Sequence, residues 1–189
     1  LFPGLITLMY PLVIATGARE QVRAFRGGES IKIVSPHEVL SGAQFSAQKA
    51  LVLNEGRGQA GLSAAEMLIN QGIEVEIVTS DIAVAADLDP TNRTPWYERL
   101  GKAGCEFTAG YILDSISGQN LTLKNVFDQR EVTRLGIGLI VDWSGSKAND
   151  SLIGGWEGLG REIFSIGDCR APRTVDVAIS EASAIAQEI

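Results

Sequence analysis

Lys49-Ala50-Leu51-Val52-Leu53-Asn54-Glu55-Gly56-Arg57-Gly58-Gln59-Ala60-Gly61-Leu62 is the stretch that decides the fold. Ala50 to Leu53 are apolar without a polar break, which reads as a buried strand. Gly56, Gly58 and Gly61 follow it in GxGxxG spacing. Beyond them Leu62, Ala65, Leu68 and Ile69 recur at helical spacing and Gly72 offers a C-cap, so the pattern predicts a helix over 62–71. Residues 75–78 read as the next strand. Strand, glycine turn, helix and strand within residues 49–80 make one βαβ unit. In such a unit the glycines allow a tight turn, close approach of backbone to a diphosphate, and close helix–strand packing. The helix N-terminus then faces the phosphates with its free amides and positive dipole end.

Working outward, residues 12–17 form an apolar run stopped by Gly17, and residues 19–29 are polar and irregular. Ser35-Pro36-His37-Glu38 is a capping box, which predicts a short helix over 36–40 and gives His37 a helix-start role rather than a catalytic one. Downstream, a helix is expected over 96–103. Strands over 106–113, 121–126 and 130–135 are expected to form a β-meander, followed by strands over 138–143 and 162–167 and an amphipathic helix over 175–189. The fold class is therefore α/β.

The 189 residues carry 16 basic and 23 acidic side chains, a net charge of −7, with no basic run. A nucleic-acid partner is disfavoured on that ground. No apolar stretch reaches the roughly 18 residues of a membrane span, since Pro3, Gly4 and Pro11 break the nearest candidate. Cys105 and Cys169 lie far apart and form no CxxC pair, so neither a disulfide framework nor a thiolate metal site is expected, and a cytoplasmic setting fits. With His37 the single histidine, a hydrolytic triad has little to build on. No catalytic or metal-ligating residue is expected in this chain.

Three further motifs carry a resemblance. Val13-Ile14-Ala15-Thr16-Gly17-Ala18 resembles the ATG strand joining the FAD and NAD domains of flavoproteins with two dinucleotide-binding domains. Ile140-Val141-Asp142-Trp143-Ser144-Gly145, with Asn149-Asp150, resembles a degraded form of its return partner, and Ile166-Gly167-Asp168 the terminal FAD-contacting motif. More narrowly, Gly167-Asp168-Cys169-Arg170-Ala171-Pro172-Arg173 and Gly61-Leu62-Ser63-Ala64-Ala65-Glu66-Met67-Leu68 are similar to the C-terminal region of the trimethylamine dehydrogenase and 2,4-dienoyl-CoA reductase family, the NADH:flavin oxidoreductases related to Old yellow enzyme.

That resemblance implies a Rossmann-like parallel sheet with a meander at residues 45–145, inserted between remnants of an FAD-type domain at 1–44 and 146–189. It implies an enzyme that passes electrons between pyridine nucleotide, flavin and a small amine or enoyl substrate, of which this chain is a nucleotide-binding portion. An N-terminal barrel with FMN and an iron–sulfur cluster, and the first Rossmann half, would lie outside the chain as its partners, and a homo-oligomer is compatible with it. NAD(P)H or ADP is expected at Gly56, Gly58, Gln59, Ala60 and Gly61, with Ser80 or Asp81 at the adenosine ribose. An incomplete FAD or ADP site is expected at Thr16, Gly17, Gly145, Gly167 and Asp168. Two features depart from the nucleotide pattern: Glu55 puts an anion beside the expected phosphate position, and the second strand ends in Thr79 and Ser80 where an acidic ribose reader is usual. They leave room for the alternative that the region is a vestigial or ADP-binding structural module without NAD(P)H. Arg57 is a candidate to offset Glu55 or to accept a 2′-phosphate.

Overall fold

A computed structural model describes residues 10–56, 58–155 and 162–189. In chain order the elements are β1 (Leu12–Ile14), β2 (Ala18–Glu20), β3 (Lys32–Val34), α1 (Pro36–Leu40), β4 (Lys49–Asn54), α2 (Ala60–Asn70), β5 (Glu74–Thr79) and α3 (Pro90–Lys102). They continue with β6 (Glu106–Ala109), β7 (Tyr111–Ser117), β8 (Asn120–Asn125), β9 (Glu131–Arg134), β10 (Ile137–Trp143), β11 (Ser146–Ala148), β12 (Ile163–Ser165) and α4 (Val175–Glu188). Two compact units result, one from Leu1–Arg19 with Ser146–Ile189 and one from Glu20–Gly145.

The larger unit is built on a five-stranded parallel sheet of order β3-β10-β4-β5-β6. Along each strand alternate side chains feed opposite faces. Val52, Ile77 and Val141 meet Leu62, Ala65 and Leu68 of α2 and Trp96 and Leu100 of α3 in one core. Leu51, Leu53, Val78 and Ile140 meet Ile116, Leu121 and Leu123 of an antiparallel β7-β8-β9 meander in the other. Strands covered on both faces explain why the sequence shows continuous apolar runs rather than alternation.

Three expectations are corrected. Residues 106–113 are not one strand: Gly110 at φ +76° turns the chain, so β6 joins the parallel sheet and β7 opens the meander. Nothing in the run of residue types marks that change of sheet. Residues 20–44 pack with the central unit, because β3 pairs with β10, so the expected boundary at 44/45 falls inside this unit. Helix α3 begins at Pro90 rather than after Pro95. Asp89 caps it by accepting from the amides of Thr91 and Asn92 at 2.9 and 3.2 Å, and Pro95 sits inside the helix. The capping box at Ser35 starts α1 as expected, its hydroxyl accepting from the Glu38 amide at 3.3 Å.

Two buried carboxylates tie polar strand positions to their neighbours. Asp142 of β10 is 1% exposed and accepts from the Arg23 amide at 2.7 Å and from the Arg23 guanidinium at 2.7 and 3.1 Å. Glu76 of β5 accepts from Arg134 of β9 at 2.7 and 2.8 Å and from the Thr108 hydroxyl at 2.6 Å, which fastens the meander to the sheet. A buried carboxylate stripped of its partner is strongly destabilising, whereas an apolar replacement of both partners is often tolerated. Arg134→Met is therefore expected to lower stability by about 2–4 kcal/mol in urea unfolding, and Glu76→Met added to it to restore most of the loss. An unchanged midpoint for the single variant would contradict this role.

Candidate functional site

The carboxyl ends of β4, β5 and β10 carry the glycine turn. β10 and β4 run in register to their last residues, Trp143 opposite Asn54. The Trp143 carbonyl accepts from the amides of Glu55 at 2.8 Å and Gly56 at 2.6 Å. A Cβ on Gly56 would stand 2.5 Å from the Trp143 indole. The first glycine therefore makes room for Trp143, and its amide is spent on the strand end rather than turned toward a ligand.

Gly58 and Gly61 behave as the motif requires. Gly58 has φ +77° and open space where a Cβ would be, and its amide donates to the Asp87 carboxylate at 2.6 Å. Helix α2 begins two residues later, with Gln59 as an exposed N-cap that makes no side-chain capping bond and Ala60 as first residue. A Cβ on Gly61 would lie 2.2 Å from Asn54 Oδ1, so the bare glycine lets the helix press onto the strand. Asn54 is 3% exposed, and its Oδ1 has no hydrogen-bond partner among the described residues. Arg57, between these glycines, lies outside the described residues.

Glu55 is engaged with the neighbouring strand. Its carboxylate crosses to the end of β5 and accepts from the Ser80 amide at 2.9 Å and the Ser80 hydroxyl at 2.5 Å. Asp81 is exposed, its amide donating to Thr79 Oγ1 at 3.2 Å and its carbonyl accepting from Gly110 at 2.8 Å. Asp87 was missed from the sequence, 29 residues from Gly58. The loop that carries it is held by burial of Val84 and Ala85, by the Tyr97 hydroxyl donating to the Val84 carbonyl at 3.0 Å, and by Ala85 at φ +53°. A non-glycine residue in that region is a signal of an over-determined loop, but it is not written in the residue types.

The remaining candidates fall in the other unit, except Gly145, whose carbonyl accepts from Gln21 at 3.3 Å within the central one. β1 and β12 pair in parallel, so Gly17 and Asp168 follow the same ends of adjacent strands although far apart in sequence. Thr16 and Gly17 are stapled to Asn149: Thr16 Oγ1 donates to its carbonyl at 2.6 Å, and its amide donates to the Gly17 carbonyl at 3.0 Å. Asp168 accepts from the Arg173 amide at 3.0 Å. The Gly167 amide donates to Glu181 of α4 at 2.7 Å, and Arg173 reaches the same carboxylate at 2.5 Å. The Gly167 amide and then Arg173 hold the Glu181 carboxyl below the usual range. Sequence reasoning missed Glu181 because nothing in an amphipathic helix marks one glutamate as a turn clamp.

Neither cysteine is poised for chemistry. Burial, then Glu106 and Glu76, push the Cys105 thiol up to about 12. Cys169 is fully buried with its sulfur on the carbonyls of Ile14 and Ile166. Among the described residues no three His, Cys, Asp or Glu side chains gather as a metal site, and no helix is long and apolar enough to cross a membrane.

The two glycines should respond differently to a methyl group. Gly61→Ala drives a Cβ into a fully packed position and is expected to cost about 1–3 kcal/mol, most of it recovered by adding Asn54→Ala. Gly58→Ala meets open space and carries a backbone strain of about 1–2 kcal/mol, which no Asn54 substitution relieves. Urea denaturation of the four variants checks this, and absence of the Asn54 rescue would contradict the close approach.

No family model matches the chain. It is 28% identical over 207 residues to the probable N-methylproline demethylase of Rhizobium meliloti (strain 1021), covering 94% of this chain and 30% of that protein. It is 25% identical over 190 residues to the N,N-dimethylglycine/sarcosine dehydrogenase of Chromohalobacter salexigens, covering 82% of this chain and 27% of that protein. The structure of histamine dehydrogenase from Rhizobium sp. 4-9 superposes with a TM-score of 0.78 at 19% identity, over 94% of this chain and 30% of that one. The chain thus spans about three tenths of the length of these proteins. Its relatives are oxidoreductases, and its fold is that of their FAD/NAD(P)-binding Rossmann-type domains.

Proposed function

We propose that this chain is the nucleotide-binding C-terminal portion of a flavin-dependent oxidoreductase of the trimethylamine dehydrogenase and 2,4-dienoyl-CoA reductase type. Its whole enzyme acts on a small organic substrate, an amine in the first instance, since the relatives at 28% and 25% identity are named for methylated amino acids. In this reading the central unit docks NAD(P)H or ADP. Residues flanking it belong to an FAD-type domain completed by a first Rossmann half, and a barrel with FMN and an iron–sulfur cluster carries the substrate chemistry. A flavin would supply the electron-accepting ring; this chain's own residues bind and orient.

The observation that carries the reading is the Gly58 amide. It already holds an anionic oxygen, from Asp87, at 2.6 Å in front of the N-terminus of α2. That is the geometry in which a helix start holds a phosphate oxygen, and nothing lies within 4 Å of where a Cβ on Gly58 would stand. Asp87 is exposed, so its side chain can swing into solvent when a diphosphate takes its place. At the other candidate site, Gly167 and Asp168 stand past the end of β12 beside β1, where a cofactor bound at strand ends is held.

Calorimetry with NADH, NADPH and ADP tests the reading. The protein is expected to bind at least one of them, Gly58→Ala to abolish binding, and Asp87→Asn to tighten it by about tenfold, because a competing charge is removed from a charge-assisted hydrogen bond. Failure of all three nucleotides to bind at millimolar concentration would overturn the proposal.

A further inference from the structure

Ser80 stands just past the carboxyl end of β5, the second strand of the βαβ unit. From that position an acidic side chain holds the adenosine ribose in dinucleotide-binding units of this kind. Ser80 has no charge to offer, yet its amide and hydroxyl both donate to the carboxylate of Glu55, at 2.9 and 2.5 Å. An acid from the end of β4 is thereby carried across to the tip of β5. We propose that Glu55 is the ribose-reading residue of this site and that it selects NADH over NADPH.

The inference rests on the dinucleotide reading of the glycine turn and adds the ligand class to it. Each oxygen of the Glu55 carboxylate accepts one hydrogen bond from Ser80, and a carboxylate oxygen has capacity for more than one. The vicinal hydroxyls of a ribose are two donors at the spacing of a carboxylate's two oxygens. A ribose bearing a 2′-phosphate replaces one donor by a dianion, which a fixed carboxylate repels. Asp81, the acid that sequence position alone favours, is less suited. It is exposed, and its backbone is drawn along the strand end toward Thr79 and Gly110, whereas Glu55 is half-buried and held at both oxygens.

The test measures NADH and NADPH affinity of the purified protein by calorimetry, with ADP as a third ligand. Wild type is expected to favour NADH by about tenfold or more, the value of one charge-assisted hydrogen bond gained or lost. Glu55→Gln should weaken NADH by about tenfold, leave NADPH no weaker, and collapse the ratio. Asp81→Asn should leave the ratio unchanged. A general loss of folding lowers both affinities together and does not change their ratio, so the ratio reports on recognition. Wild-type protein that binds NADPH as tightly as NADH, or a ratio that follows Asp81 and not Glu55, overturns the inference while leaving the dinucleotide site standing. Protein that binds none of the three ligands overturns both.

Discussion

Helix α2 meets strand β4 at Gly61, where a single added carbon would lie 2.2 Å from the Asn54 side chain. Everything at the site follows from that approach. It brings the start of the helix down to the strand end, and in the turn between them Gly58 takes a left-handed conformation and donates its amide to Asp87. It also buries Asn54 with an acceptor oxygen that has no partner among the described residues, an arrangement costing about 1–3 kcal/mol unless something compensates. Close packing of Leu62 and Leu68 against the sheet supplies that compensation, since each fully buried large aliphatic side chain contributes about 1.5–3 kcal/mol.

Carboxylates do unusual work in this fold. Asp87 sits on the amide of Gly58, Glu55 on the amide and hydroxyl of Ser80, and Glu181 on the amide of Gly167. In each case a backbone donor at a strand or helix end is matched to a negative oxygen from the chain itself. Such donors are the groups that a phosphate or a ribose hydroxyl network engages, and a protein anion can hold them in place. Asp87 is exposed, and its exchange with a ligand oxygen requires only a side-chain rotation. A net charge of −7 adds a general bias against polyanions that local donors must outweigh, and that bias weakens as salt rises.

The sequence was most legible where structure is local. From Lys49 to Thr79 the apolar runs, the glycine spacing and the helical period each act within a few residues, and β4, α2 and β5 lie within two residues of where the pattern put them. β3 went unseen because three residues, Lys32–Val34, carry too short a pattern, and it is the partner β10 that makes them a strand. β6 and β7 read as one strand because the change of sheet at Gly110 is a matter of backbone angle, not of polarity. The partners of Gly58, Ser80 and Gly167 were invisible for a related reason. They lie 29, 25 and 14 residues away, and the fold alone decides which carboxylate arrives. Glu55 shows the consequence most plainly: as a residue type beside a glycine it reads as an obstacle to phosphate, and as a placed side chain it belongs to the next strand.

The central claim is that the start of α2 is a seat for a dinucleotide phosphate. Backbone amide resonances of the 15N-labelled protein, followed while NADH is added, test it directly. The account predicts that Gly58, Ala60 and Gly61 shift first and furthest, with Ser80 moving alongside them and the Gly167 amide unaffected. Shifts confined to other parts of the chain, with Gly58 and Gly61 unmoved at saturating NADH, would contradict it.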